Sequence, residues 1–176
     1  MERKYLKDLA KVAIVAALYI ALTLALYPLS YGALQFRISE CLVLLTFFNR
    51  KYGYGVTLGV FIANFFNPEF AIVDAIFGTL STLIAVILII FFGKKLFIAS
   101  LFPTLTSIIV VLEIYYFVQL DFFIIMAQVM GSMFIIESII GYIIFKMLSK
   151  NKGFLRVIDC EKEDLLNEIQ DSGVDK

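Results

Sequence analysis

Phe70-Ala-Ile-Val-Asp-Ala-Ile-Phe-Gly-Thr-Leu-Ser-Thr-Leu-Ile-Ala-Val-Ile-Leu-Ile-Ile-Phe-Phe92 carries a single charged side chain, Asp74, close to its start. At about 1.5 Å per residue, a helix of this length reaches about 35 Å. The hydrocarbon core of a bilayer is about 30 Å thick, so the stretch reads as a membrane-crossing helix. Gly93-Lys94-Lys95 closes it with a turn and two charges. Working outward, residues 9–27 form an apolar run stopped by Pro28, and residues 38–48 and 53–66 form two shorter ones separated by Asn49-Arg50-Lys51. Beyond Lys95, residues 96–120 contain Pro103, and residues 122–148 follow after Asp121 alone, which demands a tight turn. The chain reads as an all-α polytopic membrane protein of six transmembrane helices.

The composition agrees. Of 176 residues, 61% are apolar and the mean hydropathy is +0.94, where a soluble domain holds about 45–50% apolar residues. Fifteen basic residues balance fifteen acidic ones, and there is neither His nor Trp. Histidine-ligated metals and histidine general bases are therefore excluded. The absence of a basic stripe speaks against nucleic acid, and the chain contains no G-x-x-x-x-G-K-[ST] phosphate loop. An intramembrane hydrolase would then need a carboxylate pair or a Ser–Lys dyad, and no Lys lies deep within a span. Neither enzyme activity nor a cofactor is expected. Cys41 sits in an apolar run and Cys160 in a polar one, so a disulfide between them is not expected. The first apolar run is long and lacks a small-residue cleavage site, so it reads as a span and not as a cleaved signal.

Cytoplasmic loops collect Lys and Arg, and this gives an independent test of the spans. Arg3, Lys4, Lys7 and Lys11 precede or begin the first run; Arg50 and Lys51 divide the second from the third; Lys94 and Lys95 divide the fourth from the fifth. Six more end or follow the sixth, which puts 14 of the 15 basic residues on one side, and both termini are expected in the cytoplasm. Residues 1–148 read as a membrane domain. Residues 149–176 read as a charged cytoplasmic tail, disordered or forming one short helix around Leu165, Leu166 and Ile169.

Arg37 is the basic residue on the outer side. Glu40 follows it by three residues, close enough for a local ion pair on one helical face; alternatively, this outer segment folds over a binding site. Ionisable groups in the hydrocarbon cost about 2.5–3.5 kcal/mol each on insertion scales, so Asp74, Glu113 and Glu137 need a reason. By helical rise, Glu113 and Gln128 lie at about the same depth, roughly 10–12 Å from the Asp121 turn, and Glu137 at roughly 24 Å. Asn64 and Asp74 flank the connection between the third and fourth spans. Acids outnumber bases in this outer half, which suits a ligand that brings hydrogen-bond donors or positive charge. Ala13, Ala17, Ala21 and Ala25 recur every four residues along the first span, a small-residue face that lets another helix approach closely. Internal packing explains that face as well as an external partner does.

Tyr31-Gly-Ala-Leu-Gln-Phe-Arg-Ile-Ser-Glu40 resembles the signature of the queuosine-precursor transporter (QueT) family, the substrate-binding S components of energy-coupling factor transporters. The resemblance continues through Leu58-Gly-Val-Phe-Ile-Ala-Asn64 and Asp74-Ala-Ile-Phe-Gly-Thr-Leu-Ser-Thr-Leu83, and more faintly through Pro103, Ile109-Val-Val-Leu-Glu113 and Glu137. Where the family pattern has a glycine just ahead of the sixth-helix acid, Ile136 stands here. The resemblance implies a six-helix protein that takes up a 7-deazaguanine from outside the cell: 7-aminomethyl-7-deazaguanine, 7-cyano-7-deazaguanine or queuine. It also implies a membrane T component and two cytoplasmic ATPase subunits as partners, with Ala13, Ala17 and Ala21 as the docking face.

Such a cargo fits the residues. A guanine-like edge offers a ring N–H beside an exocyclic amine, two parallel donors that a carboxylate accepts bidentately. Glu113 and Asp74 rank first for this role and Glu137 next. Asn64, Gln128 or Gln35 would donate to the ring carbonyl, and Tyr31 or Phe36 would stack on the heterocycle. Arg37 and Glu40 complete the expected site. Two other readings stay open, an S component for a different vitamin and a membrane scaffold subunit without a small-molecule ligand.

Overall fold

A computed structural model describes residues 2–31, 36–68, 70–162 and 165, and every regular element among the described residues is helical. In chain order these are α1 (Glu2–Ala25), α2 (Ile38–Phe48), α3 (Lys51–Asn64), α4 (Ala71–Phe92), α5 (Leu96–Val118), α6 (Phe122–Leu148) and α7 (Lys152–Val157), with a single turn at Tyr27–Ser30. Four of them, α1, α4, α5 and α6, are long and apolar enough to cross a membrane. Each end has a local cause. Pro28 enters the turn after α1, where its missing N–H costs nothing. Pro103 inside α5 removes an interior donor, and the helix steps through Ser107, whose N–H donates to the Pro103 carbonyl at 2.9 Å. The same helix stops at Gln119, held at φ 57°. Asp121 starts α6 by accepting from the Phe123 and Ile124 N–H groups at 3.0 and 3.1 Å.

Neighbouring helices pack in sequence around the molecule, α3 on α1, α4 on α3, α5 on α4 and α6 on α5, while α2 fits between α1 and α6. Nine of the eleven residues of α2 are buried. Its first seven residues, Ile38–Leu44, form a 3₁₀ helix, which rises about 2.0 Å per residue and so stretches this short segment to about 20 Å in all. Irregular backbone is tolerated in an apolar setting where protein surrounds it, and the burial of α2 gives it such surroundings. The same reason covers the π-helical stretch Phe134–Gly141 of α6, which packs against α2.

Glycines on α3 allow its close approach to α1. A Cβ at Gly59 would lie 2.8 Å from that of Tyr19, and one at Gly55 would lie 2.5 Å from the Val12 carbonyl oxygen. The face of α1 turned to this contact carries Val15, Ala16, Tyr19 and Thr23, all buried. Ala13, Ala17, Ala21 and Ala25 are exposed on the outside of the bundle.

The basic end of the molecule is closed by the segment after Leu148. Leu155 and Ile158 join the core, and the Glu161 N–H donates to the Phe48 carbonyl at 2.8 Å. Asp159 accepts from Lys11 at 2.6 Å and from Lys51 at 2.7 Å, and Lys51 also reaches Asp8 at 2.7 Å. The helix observed in this segment is α7, upstream of the spacing that suggested one. Leu165 packs against the core, whereas Leu166 and Ile169 lie outside the described residues.

Candidate functional site

Two adjoining cavities occupy the end opposite the basic one. The inner is a cleft of about 20 Å³ between α2, α3, α4, α5 and α6, room for about one water. The outer is a chamber of about 410 Å³ that reaches the Asp121 turn. Asp74, Glu113 and Val129 border both.

Arg37 organises the inner cleft. It stands in extended backbone just before α2 and is 7% exposed. Its Nη1 donates to Asn64 Oδ1 at 2.6 Å and its Nε to the Ser30 carbonyl at 3.2 Å, while Nη2 lies 3.7 Å from Asp74 Oδ2. The guanidinium also sits over the Tyr31 ring, 5.4 Å from its centroid. The local Arg37–Glu40 ion pair suggested by their spacing is therefore corrected. The guanidinium turns across the bundle to α3 and α4, and Glu40 instead accepts from the Tyr19 hydroxyl at 2.5 Å. Asn64 donates its amide to the Asp74 carbonyl at 2.8 Å, so both ends of this side chain serve the protein. Gly78 faces it, and any Cβ there would collide with the Asn64 amide.

The two acids at the boundary differ. Asp74 holds Arg37 and accepts from the Asn67 amide. Glu113 lies beside Asp74 and is 4% exposed. Among the described residues neither of its oxygens meets a hydrogen-bond donor. A buried carboxyl without donors is costly, and a ligand with two parallel N–H groups would satisfy it.

The outer chamber is walled by aromatic rings. Phe70 and Phe117, with centroids 6.2 Å apart, line it together with Tyr31, whose hydroxyl donates to the Ala63 carbonyl. Gln128 lines it from α6, on the same chamber as Glu113. Phe36 and Glu137 line neither cavity. Phe36 packs against the core, and Glu137 is fully buried at the π-helical stretch, its oxygens also without donors among the described residues. Gln35 lies outside the described residues. Phe70, Phe117 and Asn67 were missed because rings in an apolar run, and Asn67 before Pro68, read as span and turn. Among the described residues no three Cys, Asp or Glu side chains gather as a metal-binding group.

Comparison with known proteins gives this geometry a context. The chain matches the QueT transporter family over residues 9–150, which takes in α2 to α6, α1 from Leu9 onward and every residue lining both cavities. The queuosine precursor transporter QueT of Lactococcus lactis subsp. cremoris (strain MG1363) is 48% identical over 86 residues, covering 48% of this chain and 50% of that protein. The aligned part thus spans about half the length of that relative. No solved structure matches the chain. With its long apolar helices and a family match that covers most of its length, the chain is a multi-pass membrane protein and belongs to the QueT transporter family.

Proposed function

We propose that the chain is the substrate-capture (S) subunit of an energy-coupling factor importer and binds a queuosine precursor, a 7-deazaguanine, from outside the cell. The observation that carries this reading is the Glu113 carboxyl, buried and, among the described residues, without donors at the inner wall of a chamber lined by aromatic rings. It accepts the ring N–H and exocyclic amine of the base, two charge-assisted bonds with matching geometry. Phe70, Phe117 and Tyr31 flank the flat heterocycle, and Gln128 donates to its carbonyl. Asp74 and Asn64 act at one remove, fixing Arg37 and the cleft. An aminomethyl substituent adds a cation that suits a site with more acids than bases.

In this reading all of α1 to α6 cross the membrane, α2 as the buried short one, with both termini in the cytoplasm. The exposed Ala13, Ala17 and Ala21 meet the T component, and ATP is hydrolysed by two separate subunits. The name of the Lactococcus relative and the resemblance at residues 31–40 support the cargo class. The test is a melting curve of purified protein in detergent with 7-aminomethyl-7-deazaguanine, 7-cyano-7-deazaguanine or queuine. A hundredfold excess over Kd stabilises by about 2.7 kcal/mol. A shift with riboflavin or biotin and none with the three deazaguanines overturns the cargo, and no shift with any of them favours a scaffold.

A further inference from the structure

On the outside of the bundle a further cavity, about 390 Å³ and almost wholly apolar, runs between α3 and α4. Gly53, Thr57 and Phe61 line one wall, and Thr79, Leu83 and Ile90 the other. Each wall extends twelve residues, from Arg50 to Phe61 and from Ile90 back to Thr79, or about 16 Å between its ends. That is half the bilayer's hydrocarbon thickness of about 30 Å. A transmembrane helix from a partner would need a groove through both leaflets, whereas an acyl chain needs one leaflet's depth. The groove begins at the basic end of the molecule. Arg50 stands there with 72% of its side chain exposed, and Tyr54, 75% exposed, sits beside it, as aromatic residues do at the level of lipid headgroups.

We propose that this groove holds one acyl chain of an anionic phospholipid from the leaflet at the basic end, with its phosphate at Arg50. The apolar walls take the chain, and the guanidinium, a bidentate match for phosphate oxygens, selects the headgroup. Glu161, 3.3 Å from Arg50 Nε, competes with the phosphate for the same donors. The proposal rests on α3 lying in the membrane and is independent of the cargo.

The test uses the full chain purified in detergent, with dioleoyl phosphatidylglycerol or dioleoyl phosphatidylcholine added and the retained lipid counted by native mass spectrometry. The parent is expected to retain phosphatidylglycerol over phosphatidylcholine by about fivefold, the effect of one basic residue at a membrane surface. Arg50→Gln should equalise the two lipids and Glu161→Gln should widen the preference. Thr57→Trp, which fills the groove, should abolish retention of both, and Leu83→Trp serves if that variant does not fold. Equal retention of both lipids by the parent, or undiminished phosphatidylglycerol on the filled groove, overturns the proposal. So does a photo-crosslinker at Leu83 that captures a protein instead of lipid in native membranes.

Discussion

The Arg37 guanidinium and the Asp74 carboxylate face each other at 3.7 Å with side chains 8% and 7% exposed, and Asn64 touches both residues, accepting from Arg37 and donating to the Asp74 carbonyl. A buried ion pair of this kind is expensive to break from one side, because the remaining charge has no water to fall back on. Asp74 and Glu113 are neighbours, yet the first holds the Arg37 guanidinium while the second, among the described residues, meets no N–H donor.

Asp74→Asn and Glu113→Gln should therefore fail differently. Asp74→Asn is expected to lower stability by about 3 kcal/mol, the low end for a broken buried pair, since Glu40 also faces Arg37. Glu113→Gln is expected to leave the melting temperature of the empty protein unchanged or raised and to weaken deazaguanine binding by more than tenfold, as losing a charge-assisted contact of about 1.5–3 kcal/mol requires. Melting curves and titration calorimetry on both variants check this. Normal binding by Glu113→Gln would remove that carboxyl from the site.

Gly78→Ala should act on the site through Asn64. The added methyl displaces an amide held between Arg37 and the Asp74 carbonyl. Overpacking of this sort costs about 1–3 kcal/mol, and ligand affinity is expected to fall with stability. Gly78→Ala combined with Asn64→Ala should recover part of the stability and none of the affinity, which a double-mutant cycle reads directly.

Ala17→Leu and Ala21→Leu alter side chains on the outside of α1. Leucine is at home facing lipid, so the isolated protein should fold and bind cargo as the parent does. Close approach of a partner helix is blocked, and co-purification with a T component should drop sharply, together with uptake in cells. Intact uptake by the double variant would withdraw the docking face.

Asp159 gives a pH signature at the basic end. Partial burial opposes its ionisation, but hydrogen bonds from Lys11 and Lys51 outweigh that and hold the carboxyl below its ordinary value of 3.8. A folded-state pKa below the unfolded one contributes stability above the unfolded value that is lost as pH falls through the folded one. The α7 segment should accordingly stay docked down to pH 3.8 and loosen only below it. Hydrogen exchange in residues 152–162 reports this, and Asp159→Asn should abolish the acid transition and raise exchange at neutral pH.

Gln119→Gly tests the end of α5. A non-glycine residue at φ 57° carries a steric cost that glycine does not. The variant should gain about 1 kcal/mol, seen as a higher melting temperature with cargo affinity unchanged.

Much of this was legible from residue order. The run at 70–92, the pair of lysines after it and the Pro28 stop locate α4 and the end of α1 to within two residues. Depth arithmetic brought Glu113 and Gln128 to one chamber, because rise per residue is the same in any helix. Arg37 was misread because spacing along a helix ranks near neighbours first. Its actual partners, Asn64 and Asp74, come from helices brought close by the Gly55 and Gly59 contacts on α1 and the Gly78 gap under Asn64. The direction of the alanine ladder was equally hidden, since Ala13 and Ala16 lie only about 60° apart around the helix, yet Ala13 is exposed and Ala16 buried. Glu137 stayed outside the cavities because a π-helical stretch rotates it toward α2, and nothing in the local sequence announces that change of period.

The contact between Lys11 and Asp159 joins residues 148 positions apart. A ribosome adding about 5–20 residues per second needs about 7–30 s to cover that distance. Throughout that interval α1 is already made and its anchor is not. Until then the first helix holds its place through the glycine contacts with α3, the Asp8–Lys51 pair and the Tyr19–Glu40 and Thr23–Ser39 hydrogen bonds, and the Lys11–Asp159 link closes only after the remaining helices have been made. Errors in α7 would then appear late, as an assembled bundle whose first helix lacks its Lys11 anchor, and would be seen in protease sensitivity at residues 2–11 rather than in loss of insertion.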